Sequence, residues 1–143
     1  MTLFFRYKSI QRPKGNVVKA PHIPINLISK SSMSIEFIAL LDSGADVSII
    51  PQDVAELLGI DLTKEREISR GIGGEVEVIN TKIKINIKKG HETYDFLIPV
   101  QVAMGGSKIP VIIGRAGFFD RFRITFDQAN ETVSLKRTTD INL

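Results

Sequence analysis

Short runs of β-branched and aromatic residues alternate with polar positions and are separated by Gly, Pro, Asn and Asp, the period-two signature of strands. The pattern predicts strands over residues 3–9, 17–28, 34–41, 67–70, 75–87, 93–103, 123–127 and 132–136. Lys82-Ile83-Lys84-Ile85 is the plainest instance, a strand with one solvated face and one apolar face. Proline has no N–H to give a central ladder, so Pro21 and Pro24 put the second run at an edge or a crossing between sheets.

Two stretches depart from this period. Over residues 51–58, Pro51 suits the first helical position, Ser48 is a nearby candidate cap, and Val54, Leu57 and Leu58 share one helical face, with Gly59 as the stop. Residues 115–122 follow the apolar run 109–113 and carry Phe118, Phe119 and Phe122 on a partly apolar face, which predicts a second short helix. The fold class is therefore all-β with one or two short helices.

Composition narrows the picture. A chain of 143 residues with 43% hydrophobic content builds one core, so residues 1–143 are expected to form one domain. Nineteen basic against 16 acidic residues leave a net charge of +3, too mild to imply nucleic acid or a membrane as partner, and neither is expected. The chain has no cysteine, which removes disulfides, a thiolate nucleophile and the common zinc sites. No metal or cofactor is implied. His22 and His91 lie far apart in turn-like contexts and read as surface residues. Neither a signal-peptide core nor an apolar run of membrane length occurs, so a cytoplasmic protein is expected.

One run carries chemistry. The apolar stretch 37–41 drives into Asp42-Ser43-Gly44-Ala45-Asp46. Asp-Ser-Gly is a good turn tripeptide, and a solvated turn is one reading of Asp42. Its neighbours point the other way: Leu40 and Leu41 before it, and Val47, Ile49 and Ile50 after it, predict an interior turn. A buried carboxylate is costly unless hydrogen-bonded or functional. Gly44 allows close backbone approach and an N–H donated to the carboxylate, and the Ser43 hydroxyl offers a lock for the loop.

Residues 41–45, continued by Asp46, Val47, Ser48, Ile49 and Ile50, resemble the Asp-Ser/Thr-Gly-Ala signature of the retropepsin-like aspartic proteases, the retroviral proteases with their cellular and microbial relatives. Val111-Ile112-Ile113-Gly114-Arg115 is similar to the family's apolar-apolar-Gly segment behind the active-site loop. Arg70-Gly71-Ile72-Gly73-Gly74-Glu75 is similar to the tip of its flap, and the resemblance spans about residues 35–135. It implies a closed β-barrel protomer, and an aspartic endopeptidase in which one Asp42 from each of two chains activates a water.

By the same resemblance Asp42 is the catalytic residue, and Ser43 and Gly44 form the active-site loop. Gly44, Ala45, Asp46, Ile72 and Gly73 bind an extended peptide, and Gly71, Ile72, Gly73 and Gly74 form the flap. Ile112, Ile113, Gly114 and Arg115 give structural support, with Arg115 paired to Asp46 in a buried ion pair, and Ile72, Val111 and Ile112 line specificity pockets. With no internal repeat to supply a second Asp-Ser-Gly, the partner is a second copy of the chain. The helix over residues 51–59 is an addition relative to the smallest retroviral members, and the stretch after Arg115 does not follow the viral pattern. Two rivals stand beside this reading: a catalytically silent peptide-binding or dimerisation module of the same fold, and an unrelated barrel in which Asp42 is an exposed turn residue.

Overall fold

The computed structural model describes residues 2–71, 74–106 and 108–138. Its main sheet orders seven strands as β4 (His22–Ile28), β5 (Ser34–Leu41), β10 (Val111–Ile113), β6 (Ser48–Pro51), β9 (Glu92–Ala103), β8 (Gly74–Lys89) and β7 (Glu67–Gly71). A further pairing of β4 with β8 closes the first six into a ring, and β7 extends β8 beyond it as a hairpin. A three-stranded sheet of β1 (Thr2–Arg6), β12 (Thr132–Arg137) and β11 (Phe122–Asp127), and a two-stranded ribbon of β2 (Lys8–Gln11) and β3 (Val17–Ala20), complete the strands.

Alternation builds the ring, since Ile83, Ile85 and Ile87 of β8 are buried while Lys82, Lys84 and Lys88 face solvent. Ring closure is pinned by a polar contact. Buried Asn86 accepts from Asn26 Nδ2 of β4 at 3.2 Å and donates to Asp95 Oδ1 and Thr93 Oγ1 of β9 at 2.8 and 2.9 Å. Three strands thereby share one register, because a slip would strand a buried amide. Pro24 sits in β4 where only β5 pairs with it, before β8 joins at Asn26, in keeping with the edge position expected of it.

Several sequence expectations need correction. The helix α1 runs Gln52–Leu57 with Pro51 as its N-cap rather than its first residue, and no side chain caps it. Ser48 instead lies buried in β6, held there by the β6–β9 ladder. Gly59 does end the helix, at φ 72. The second helical stretch is shorter than expected, Arg115–Phe119, and irregular, because Ala116 is extended and Gly117 takes φ 79. A Cβ at Gly117 would also lie 2.9 Å from Pro99 Cδ. This stretch drops Phe118 into the core against Phe96 and Phe122, with ring centroids 5.8 and 5.2 Å away. His22 is buried, not a surface residue, although it stands opposite Leu40 of β5, on the strand face away from Ile23. Strand 3–9 divides at Tyr7, whose N–H gives the β1–β12 register one last rung at the Glu131 carbonyl before the chain passes into β2. No helix among the described residues is long and apolar enough to cross a membrane.

Candidate active site

β10 lies between β5 and β6, parallel to the first and antiparallel to the second. The chain leaving β5 must therefore pass over the end of β10 before it can return as β6. Residues 42–47 make that crossing. Asp42 stays in the ladder, donating its N–H to the Ile113 carbonyl at 2.9 Å. The loop then tightens as Ala45 N–H donates to the Asp42 carbonyl at 3.2 Å.

Gly114 sits beneath this crossing. A Cβ there would lie 2.6 and 2.7 Å from C and O of Val47 and 2.8 Å from the Ala45 carbonyl oxygen. All three are backbone atoms with little freedom to retreat, so only glycine lets the two segments touch. The Gly114 N–H donates to the buried Ser48 Oγ at 3.0 Å, and the next two N–H groups, of Arg115 and Ala116, donate to the carbonyls of Ala45 and Asp46 at 2.9 Å each. The helical pattern offers Ser48 only as a cap, whereas here it supports the site. The available signal was a hydroxyl inside the apolar run Val47-Ser48-Ile49-Ile50, where a buried polar group requires a partner.

The side chain of Arg115 completes the clamp. Nη1 donates to the Ser43 carbonyl at 2.7 Å and Nη2 to Asp46 Oδ1 at 2.6 Å. The ion pair expected between Asp46 and Arg115 is present, but it is exposed, with 85% of the Asp46 side chain accessible. The Ser43 hydroxyl is not the lock anticipated for the loop; among the described residues its backbone carbonyl has that role. Ser43 and Gly44 are exposed, and Ala45 is half-buried.

The Asp42 carboxylate accepts from the Gly44 N–H through Oδ1 at 2.9 Å, as the sequence reading anticipates. Its surroundings differ from expectation: Asp42 is half-buried and the turn is not an interior one. Period-two alternation explains this. Ala39, Leu41, Val111, Ile113 and Ile50 face the core, whereas Leu40, Ile112 and Ile49 lie half-buried on the opposite face and Ile38 is 43% exposed there. Ile112 stands opposite both Leu40 and Ile49, so these residues form one apolar strip, and Asp42 continues the alternation onto its side of the sheet.

Gly71 and Gly74 face each other across the β7–β8 hairpin, while Ile72 and Gly73 of the expected flap tip lie outside the described residues. Val111 lines an open cleft of about 850 Å³ with Phe37, Ile38, Val54 and Ile109; Ile112 does not line it, and neither does Asp42.

A family profile described as aspartyl protease matches residues 34–116, more than half of the 143-residue chain. The chain belongs to the aspartyl protease family. The match begins with β5, includes the whole loop and ends at the residue after Arg115. In solved structures, the family fold recurs in a retropepsin-like aspartic protease from Rickettsia conorii, with a TM-score of 0.60 at 20% identity over 94% of this chain and 98% of that one. It recurs again in the retroviral protease-like domain of Ddi1 from Leishmania major, with a TM-score of 0.55 at 18% identity over 88% and 99% of the two chains. At these identities the likeness concerns the fold alone. No curated protein matches the sequence significantly. The retropepsin-like, mostly β architecture expected from the sequence is thus the one found, and a ring-shaped sheet is compatible with a barrel.

Proposed function

We propose that this family member is an aspartic endopeptidase that acts as a homodimer, each chain forming one domain and contributing Asp42 to a site on the two-fold axis. The supporting observation is the placement of Asp42: a carboxylate held by the Gly44 N–H, on a loop clamped from behind by β10, at the margin of an uncovered apolar strip. An ordinary turn aspartate needs none of this support.

Hydrolysis by this route needs one carboxylate ionised as base and one protonated as acid. Within the chain the nearest other acid of the loop is Asp46, which Arg115 engages, so the second carboxylate is the partner's Asp42. The ionised carboxylate takes a proton from water as the oxygen attacks the peptide carbonyl carbon, and the protonated one hydrogen-bonds the developing oxyanion. Collapse of the tetrahedral intermediate breaks the C–N bond, and a carboxyl proton passes to the leaving amine. The pair shares one titration. Gly44, Ala45 and Asp46 border the path of an extended substrate, and the hairpin ending in Gly71 and Gly74 closes over it. Apolar side chains are the preferred cargo of the cleft that Val111 lines.

Asp42→Asn keeps the size and the Gly44 hydrogen bond while removing the base. Cleavage of a denatured protein should fall by at least about a thousandfold with the dimer intact by sedimentation. Absence of cleavage by the wild type from acidic to neutral pH would favour a silent peptide-binding module instead.

A further inference from the structure

The two charge signs are segregated along this chain. Residues 1–35 contain Arg6, Lys8, Arg12, Lys14, Lys19 and Lys30 and no Asp or Glu, whereas the remainder has 13 basic against 16 acidic residues. In three dimensions part of this block lines an open cleft of about 570 Å³, bounded by Phe4, Arg6, Lys8, Pro24, Lys89 and Thr132 among others. Both sides of this segment contribute to the wall: the largely buried Phe5 and Tyr7 line it together with the exposed Phe4, Arg6 and Lys8. Lys89, from the far end of β8, adds a third cation and lies over the Phe5 ring at 5.1 Å.

Among the described residues no carboxylate lines the cleft. The two acids of the neighbouring turn are engaged: Glu131 meets Lys19 at 3.8 Å, and Asp127 accepts from the Asn130 backbone and side chain at 3.1 and 2.8 Å. Arg6, Lys8 and Lys89 take part in none of the ion pairs among the described residues. Among the described residues β1 is the end strand of its sheet, with no strand paired to its outer backbone groups. Lys89 stands opposite Glu92 across the β8–β9 ladder without an ion pair between them. Cations held in no ion pair, beside a strand edge, suit an extended acidic peptide, whose backbone pairs with the edge while its carboxylates meet the cations.

We propose that this cleft is an exosite for an acidic, extended segment of the proteins the chain acts on; that these are its substrates rests on the peptidase reading above, the binding itself does not. Single-stranded nucleic acid fits less well, because stacking requires several free rings and here Phe5 and Tyr7 are buried, leaving Phe4 alone exposed.

The test is fluorescence polarisation of a labelled Asp/Glu peptide with the full-length Asp42→Asn chain, and with a Gln/Asn peptide of the same length as control. The acidic peptide should bind, the control should not, and affinity should fall steeply between about 50 and 200 mM salt. Arg6→Gln/Lys8→Gln should weaken binding about 10-fold, and Lys89→Gln, at the end of a hairpin, should weaken it too if the double variant melts early. Equal binding of both peptides, no effect of either variant, or tighter binding of oligothymidylate or phosphatidylserine vesicles at matched salt would overturn the proposal. If the wild type cleaves nothing, the peptidase reading fails while this binding result still decides the exosite. If it cleaves, an acidic tag on a substrate should lower KM and leave kcat unchanged.

Discussion

Gly114 and Ser48 carry much of the loop between them, although neither bears the reactive group. The first removes a Cβ that would press on Val47 and Ala45 backbone, and the second gives the same residue's N–H an acceptor inside the core. Gly114→Ala must therefore either push residues 45–47 outward or lift β10 away. Overpacking of this kind costs about 1–3 kcal/mol. Urea denaturation should show that loss, and under the proposed function activity should fall further than stability, because the strand that moves is the one that hydrogen-bonds Asp42. Full activity with unchanged stability would mean that the backbone contact is not a constraint. Arg115 is a different case: its ion pair is exposed, and such pairs contribute about 0–1 kcal/mol, so its role lies in orienting the Ser43 carbonyl and Asp46 more than in holding the fold.

At the scale of elements, β4 introduces a pH dependence through His22. Burial, with a smaller contribution from the Lys8 charge, lowers the His22 pKa below its ordinary 6.5. The unfolded chain then takes up the proton first as pH falls, so stability is fully present above about 6.5, declines from there towards the lowered folded value, and declines no further from this cause below it. Denaturation midpoints measured between pH 7.5 and 5 should fall more in the wild type than in His22→Leu; parallel profiles would remove His22 as the source. The burial was not legible in the sequence. His22 sits between two prolines in a run that reads as an edge, and its burial arises from packing on the face it shares with Leu40, away from the alternation that buries Ile23 and Ile25. β6 and the irregularity of residues 115–119 were missed for a related reason. The first is four residues long and takes its state from β9 and β10, and the second depends on Gly117 at positive φ, which the Phe spacing does not report. Where period two persists over a long run, as in β8 and β9, sequence and structure agree.

For the whole molecule, the decisive surface is the strip made by Leu40, Ile112, Ile49 and the exposed Ile38. Apolar neighbours of Asp42 in the sequence imply an interior turn, yet the strand period sends half of them to the outer face. Sequence context detects that Asp42 keeps apolar company; it cannot tell whether that company belongs to the core or to a surface awaiting a partner. Under the proposed function a second chain covers this face and supplies the acid that Asp46, engaged by Arg115, does not. The basic exosite lies on other elements, chiefly β1, β2 and the end of β8, and is expected to add affinity for acidic proteins without entering the chemistry.

Under the proposed function two chains are obligatory for one active site, and subunit mixing tests this most directly. Wild type and Asp42→Asn are combined in equal amounts, allowed to exchange, and assayed against a peptide that the wild type cleaves. With random pairing and one intact Asp42 required from each chain, activity should settle at about one quarter of that of an all-wild-type sample at the same total concentration. A value of about one half, the wild-type chains working unaffected by their inactive neighbours, would contradict a site shared across the two-fold axis.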